Sequence, residues 1–240
     1  TMLSLDRQNL LRERYRFENP YWRPATETYA ALVRSYLNDD ARVLDLGCGR
    51  GGVVEQLGHP PALVTGVDPD WISLAEHRLH GIKRVTSVSS SLPLRPQSFD
   101  VILASWLFEH LDQPGATFRQ IFRVLKPGGV LIFIAPNGRH PVAYLNRLFG
   151  GLEGIQGRIV SRLYGRDQTD TFATYYRANT VERLCNLAAA AGFENTTLIT
   201  IPDPTYLAFS EGLYRPACLL EESLPESRKI HLVGVFRRPG

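Results

Sequence analysis

Residues 43–52 read Val-Leu-Asp-Leu-Gly-Cys-Gly-Arg-Gly-Gly, and no other stretch restricts the fold as much. Val43–Leu46 is a short apolar run of the kind that forms a buried strand. Glycines 47, 49, 51 and 52 follow at once, so the chain leaves that strand through a loop whose backbone can approach a ligand closely. Gly47, Gly49 and Gly52 satisfy the G-x-G-x-x-G spacing of dinucleotide loops. Asp45 points to a different occupant. A pyrophosphate is held by backbone N–H groups and a helix N-terminus, not beside an anion. A carboxylate at the strand end suits a ligand end that carries an ammonium. A tight turn without a ligand is the plainer reading of the loop taken alone.

Asp45-Leu-Gly47-Cys-Gly49-Arg-Gly51 resembles the D-x-G-x-G-x-G signature of class I methyltransferases that depend on S-adenosylmethionine (SAM), a ligand with such an ammonium. Three more anchors follow in order. Nucleotide folds place a ribose-binding acid about 20 residues on. There Ala62–Val67 reads as a strand ended by Asp68, whose carboxylate can accept from both ribose hydroxyls. Asp70 suits the N-cap of the next helix better, which leaves Asp68 for the ribose. Pro69 stands where the family commonly puts an apolar residue beside the adenine.

The stretch Ser89–Ser105 resembles the family's loop past the adenine, which leads through L-P-…-F-D-V into the fourth strand. Many relatives carry an aspartate for the adenine amino group where this chain has Val88. The resemblance therefore leaves adenine to backbone groups or to the hydroxyls of Ser89 and Ser90. Asp100 reads as structural. Arg123-Val-Leu-Lys-Pro-Gly-Gly129 resembles the family's L-K-P-G-G turn between a helix and the fifth strand, Val130–Ala135.

The resemblance covers roughly residues 40–135 and implies an α/β fold. That fold is a Rossmann-like, seven-stranded, mostly parallel sheet with helices on both faces, an antiparallel last strand and helical cap insertions. The alternation of strand and helix from Val43 to Ala135 agrees with it. Ligands of such sheets bind at the carboxyl ends of the strands, where the glycine loop, Asp68 and Ser105 fall. Cofactor contacts are accordingly expected at Asp45, Gly47, Cys48, Gly49, Gly51, Asp68, Pro69, Ser89, Ser90 and Ser105. Cys48 reads as a small residue for close ligand approach rather than as a nucleophile.

The chain divides into an N-terminal helical cap (1–40), a SAM-binding core (41–135), a lid (136–178) and a C-terminal part (179–240) with an insertion at 203–228. Residues 5–18 and 24–37 read as helices, and Tyr21, Trp22 and Arg23 between them as a weaker candidate to close over SAM. The lid mixes arginines 139, 147, 158, 162 and 166 with apolar residues and glycines, as long functional insertions do. A helix is expected from Thr180 to Ala191, stopped by Gly192, and the last strands at Thr196–Ile201 and Ile230–Arg237. The long connection between those strands suits a second cap or a homodimer contact.

The 44% hydrophobic content is ordinary for a globular chain. No apolar run reaches the roughly 18 residues of a membrane span. Leu5–Arg16 is too charged for a signal peptide. The three scattered cysteines suit reduced thiols and a cytoplasmic setting. The net charge of +3 is too mild to argue for nucleic acid. The basic, apolar lid permits a membrane-surface reading, though its glycines interrupt an amphipathic helix.

Methyl transfer from a sulfonium is an in-line displacement, and a hydroxyl acceptor must also lose its proton. His110, in Trp106-Leu-Phe-Glu109-His110, is the first candidate base. This stretch resembles the E-x-x-E-H of some O-methyltransferases that hold a divalent metal, but Trp106 replaces the first glutamate, so no metal is expected. His140, after the fifth strand, is the second candidate base, with an exposed loop histidine as the plainer reading. Tyr175, Tyr176 and Arg177 offer hydroxyls, ring faces and a fork donor for an acidic or aromatic acceptor. The expected activity is methylation of a small molecule, first on oxygen, then on nitrogen or carbon. A SAM-binding protein without turnover and a nicotinamide-dependent oxidoreductase are the rival classes.

Overall fold

A parallel sheet needs a crossover between successive strands and apolar residues on both faces. The middle of this chain supplies both. A computed structural model describes residues 5–144, 173–208 and 210–240. Seven strands form one sheet in the order β3-β2-β1-β4-β5-β7-β6. They are β1 (Val43–Leu46), β2 (Val64–Asp68), β3 (Lys83–Thr86), β4 (Phe99–Ser105), β5 (Leu125–Pro136), β6 (Glu194–Ile201) and β7 (His231–Arg237). β1 lies parallel to β2 and β4, β2 to β3, and β4 to β5. The last strand runs antiparallel, so the sheet is mostly parallel and Rossmann-like. From β1 the chain steps outward to β2 and β3, then returns to lay β4 on the other side of β1. This reversal is the switch point at which a crevice opens beyond the strand ends.

The chain separates into two compact units. One comprises residues 25–135, 174–199 and 232–240, and the other residues 1–24, 136–173 and 200–231. The first holds most of the sheet. Its core joins alternate sheet residues such as Leu44, Leu46 and Phe133 to the apolar faces of α4 (Pro114–Val124) and α5 (Val181–Ala191). Phe133 and Phe236 stack at 5.1 Å between ring centroids, and Phe108 packs on Phe133 at the same distance. Such aromatic burial dominates core energetics.

The termini of these helices follow local chemistry. Asp70 caps α3 (Trp71–Ala75) by accepting from the Ile72 and Ser73 N–H groups, as anticipated. Thr180 caps α5, and Gly192 ends it at φ +99°.

Two elements differ from expectation. The alternation of strand and helix is incomplete: β1 leads to β2 through two 3₁₀ turns, Val53–Gln56 and Pro61–Leu63. Gly51-Gly52 and Pro60-Pro61 leave too short a stretch between them for a helix, and Gly58 interrupts that stretch at φ +67°. Lys126-Pro127-Gly128-Gly129 is not a turn ahead of the fifth strand but lies within β5. The pairing jumps from Phe99↔Leu125 to Val101↔Val130, so the extra residues form an irregularity in the ladder.

In the second unit, Leu11 and Tyr15 of α1 (Leu5–Glu18) pack with Trp22 and with Tyr214, Ala217 and Cys218 of α6 (Glu211–Ser223). Trp22 is buried edge-on to Tyr15, and its indole N–H donates to the Pro202 carbonyl at 2.7 Å. For Trp22, the idea that it closes over SAM is corrected by these contacts. Trp22 is a core residue, Tyr21 is fully exposed, and Arg23 donates to the Pro20 and Trp22 carbonyls.

Candidate active site

The site begins at Asp45, the third residue of β1. Parallel neighbours on both sides bury it to 4% exposure. Its carboxylate has no hydrogen-bond or ion-pair partner among the described residues. Burial chiefly, then the nearby charges of Asp68 and Glu55, push its pKa up to about 7. An ionised carboxylate in such a place is costly unless a cation joins it.

Beyond Asp45 the chain turns through Gly47 at φ +72°, Gly49 at +50° and Gly51 at +114°. The Gly47 and Cys48 N–H groups donate to the Val67 carbonyl, which ties the loop to the end of β2. Among the described residues, nothing lies within 4 Å of the position a Cβ would take on Gly49. Cys48 is buried over Gly66, where an added Cβ would stand 2.8 Å from its sulfur. Burial raises the Cys48 thiol pKa, with Asp45 and Asp68 adding to the effect. That holds the sulfur in its neutral, unreactive form.

Asp68 closes β2. One carboxylate oxygen accepts from the Gly49 N–H and the other from the Asp70 N–H, both at 2.9 Å. Each oxygen keeps further acceptor capacity. Pro69 beside it is exposed. In the following loop the Ser89 hydroxyl lies 3.0 Å from the Thr117 hydroxyl, Ser90 is half-buried, and Val88 is exposed. Ser105, at the end of β4, donates to the Tyr29 phenolic oxygen at 3.0 Å. Asp100, by contrast, is held by Lys126 at 2.8 Å and by the Arg42 N–H at 2.9 Å, as a structural residue is.

His110 ends a 3₁₀ turn, Phe108–His110, just past β4, and is half-buried. The Glu109 carbonyl in this turn accepts from the N–H groups of Tyr175 and Tyr176. Arg177 pairs with Asp112 and lies over the Tyr175 ring at 5.0 Å. The structure therefore brings the three expected acceptor residues to the segment that carries His110. Tyr176 adopts φ +51°, a conformation uncommon for a bulky residue.

His140 belongs elsewhere. It is fully buried in the second unit, its Nε2 is 2.9 Å from Glu221, and its Nδ1 accepts from the Val142 N–H. The exposed-loop reading is overturned. The base reading is corrected as well, because both ring nitrogens are engaged and neither is open to an acceptor proton. Lid residues 145–172 lie outside the described residues. Among the described residues, no group of three or more His, Cys, Asp or Glu side chains could hold a metal ion, and no helix is long and apolar enough to cross a membrane.

A glycine backbone that no described residue covers at Gly49, a buried carboxylate with no cation among the described residues, and a second acid at the next strand end fit SAM. Asp45 would meet the ammonium and Asp68 the ribose. Residues 44–133 match the family described as a methyltransferase domain.

The chain is 34% identical over 116 residues to ubiquinone biosynthesis O-methyltransferases of Pseudomonas fluorescens and Pseudomonas entomophila, matching 45% of this chain and 50% of each of theirs. It thus spans about half the length of the curated relatives it matches. A SAM-dependent methyltransferase from Mesorhizobium loti shares the fold with a TM-score of 0.58 and 20% identity, over 89% of this chain and 100% of that one. The [4+2]-cyclase SpnF shares it with a TM-score of 0.59 and 20% identity, over 91% and 86%.

Proposed function

We propose that this chain transfers a methyl group from SAM to an oxygen of a small-molecule acceptor. The observation that carries the reading is Asp45, a buried carboxylate without a partner among the described residues, beside a glycine loop that no described residue covers at Gly49. Asp45 takes the ammonium of the cofactor and Asp68 the ribose hydroxyls. Gly47, Cys48, Gly49 and Gly51 shape the close approach, while Pro69, Ser89 and Ser90 border the adenine. When bound, SAM supplies a methyl group on a sulfonium that is open to in-line attack. The protein's part is to position the acceptor and to take its hydroxyl proton. His110 takes that proton, and Tyr175, Tyr176 and Arg177 orient the acceptor. The names of the O-methyltransferase relatives support oxygen as the acceptor atom. Residues 136–178 serve as the lid, and 203–228 as a second cap or a contact between two copies.

Titration calorimetry with SAM, S-adenosylhomocysteine and NAD tests the cofactor. Micromolar binding of the first two, no binding of NAD, and a loss of about tenfold or more in Asp45→Ala and Asp68→Ala are expected from the lost charge-assisted bonds. Unchanged affinity in both variants would refute the site. A second reading, SAM binding without methyl transfer, draws on the absence of an adenine carboxylate at Val88. Labelled-methyl transfer to a panel of phenols and catechols separates the two.

A further inference from the structure

Helix α2 (Ala25–Tyr36) carries no motif, yet through Tyr29 it reaches the end of β4. Its buried face consists of Ala25, Tyr29, Ala30 and Val33. The small alanines let the helix approach closely, and Tyr29 becomes 3% exposed. Its phenolic oxygen accepts the Ser105 hydroxyl proton at 3.0 Å. Ser105 ends β4, the strand that pairs with β1 through Asp45↔Leu103. The phenol and the buried carboxylate thus belong to the same end of the same strand pair. The charge of Asp45 is felt at Tyr29, whose pKa rises mainly through burial and then through that carboxylate.

The direction of the Ser105 bond decides what Tyr29 can do. A phenol has one proton to donate and an oxygen that accepts. Ser105 uses the oxygen and leaves the proton. Burial keeps the phenol protonated, so Tyr29 is a fixed neutral donor beside an acid that needs a cation. An α-amino acid presents the complementary pair, an ammonium and a carboxylate on one carbon.

We propose that Tyr29 is a cofactor-binding residue that donates its phenolic O–H to the carboxylate of the ligand's amino-acid end, while Asp45 receives the ammonium of that same end. This rests on the reading of the site as one for SAM and adds how the zwitterion is recognised. Ser105, expected to touch the cofactor, acts through Tyr29 by fixing its oxygen.

The test compares S-adenosylhomocysteine with 5′-methylthioadenosine, which keeps the nucleoside and lacks the amino-acid end. Calorimetry is run on the full chain, Tyr29→Phe and Ser105→Ala. Tyr29→Phe keeps the ring and loses the donor. It is expected to weaken S-adenosylhomocysteine about tenfold, as for one hydrogen bond to a charged group, and to leave methylthioadenosine within about twofold. Ser105→Ala is expected to weaken S-adenosylhomocysteine by a few-fold with the same selectivity, and it carries the test if Tyr29→Phe fails to fold. Equal losses for both ligands would mean a packing role and overturn the proposal, as would no loss for either. If the unaltered chain binds neither ligand, the SAM reading itself falls and this proposal with it. If it binds S-adenosylhomocysteine and Tyr29→Phe binds it equally well, only the present proposal falls.

Discussion

At the scale of single residues, an ionised carboxylate in a buried site needs compensation, and Asp45 has none from the described residues. Its pKa of about 7 in place of 3.8 expresses that cost. The same cost becomes a source of selectivity once a cation arrives, because binding an ammonium restores the charged form. Ligand binding is therefore coupled to a proton. Near pH 6 Asp45 is mostly protonated in the free protein and must ionise on binding, so close to one proton is released. Above about pH 8 the release vanishes, because Asp45 is already charged. Calorimetry of S-adenosylhomocysteine in two buffers of different ionisation enthalpy reads this number directly. Asp45→Asn should abolish the release at pH 6 while also weakening binding. A release that persists in Asp45→Asn would assign the proton to another group.

At the scale of elements, the segment after β5 is fixed to α6 by one buried carboxylate. Glu221 accepts from His140 Nε2, and its other oxygen accepts from the Asp203 N–H at 3.3 Å and the Ile230 N–H at 3.4 Å. The Val142 N–H occupies His140 Nδ1, so the ring is the neutral tautomer with its proton on Nε2, aimed at Glu221. Glu221→Gln leaves an amide donor facing either that proton or the Asp203 and Ile230 N–H groups, and Glu221→Leu removes the acceptor altogether. Urea unfolding should show losses of about 1–3 kcal/mol for the first and at least as much for the second. A neutral result for both would deny the network any role in stability.

This network also marks the limit of what sequence discloses. The glycine loop with Asp45, the acid at Asp68, the cap at Asp70 and the stop at Gly192 were legible because each depends on neighbours a few residues away. His140 read as a loop histidine because its partner lies 81 residues on. Nothing near Tyr29 in the sequence marks it, because Ser105, its hydrogen-bond partner, is 76 residues away. Trp22 gives no local sign of its core position, because its partner carbonyl, Pro202, is 180 residues away. The missing helix between β1 and β2 could have been read from the Gly-Gly and Pro-Pro pairs that bound it.

At the scale of the whole molecule, two buried groups in different units oppose each other as pH changes. Asp45 has its pKa raised from 3.8 to about 7. Over that window the folded protein binds a proton that the unfolded chain has lost, so Asp45 removes stability as pH rises. His231 is the reverse case. Burial chiefly lowers its pKa from 6.5 to about 4, with Arg12 and His140 lowering it further and Asp203 and Glu221 working against them. Between those values the unfolded chain binds the extra proton, so His231 adds stability as pH rises and loses it on acidification. Each slope is about 1.4 kcal/mol per pH unit and the signs are opposite. From these two groups the free protein should show a nearly flat stability between about pH 4.5 and 6.5. Asp45→Asn removes one side of the balance. Its stability, followed by urea midpoint across that range, should fall by about 1.4 kcal/mol for each unit of acidification, and at pH 8 it should exceed that of the unaltered chain. A ligand that holds Asp45 ionised removes the same term, so S-adenosylhomocysteine at saturation should tilt the unaltered profile toward that of Asp45→Asn. Parallel profiles for the three samples would show that Asp45 does not carry the raised pKa on which its role as an ammonium receptor depends.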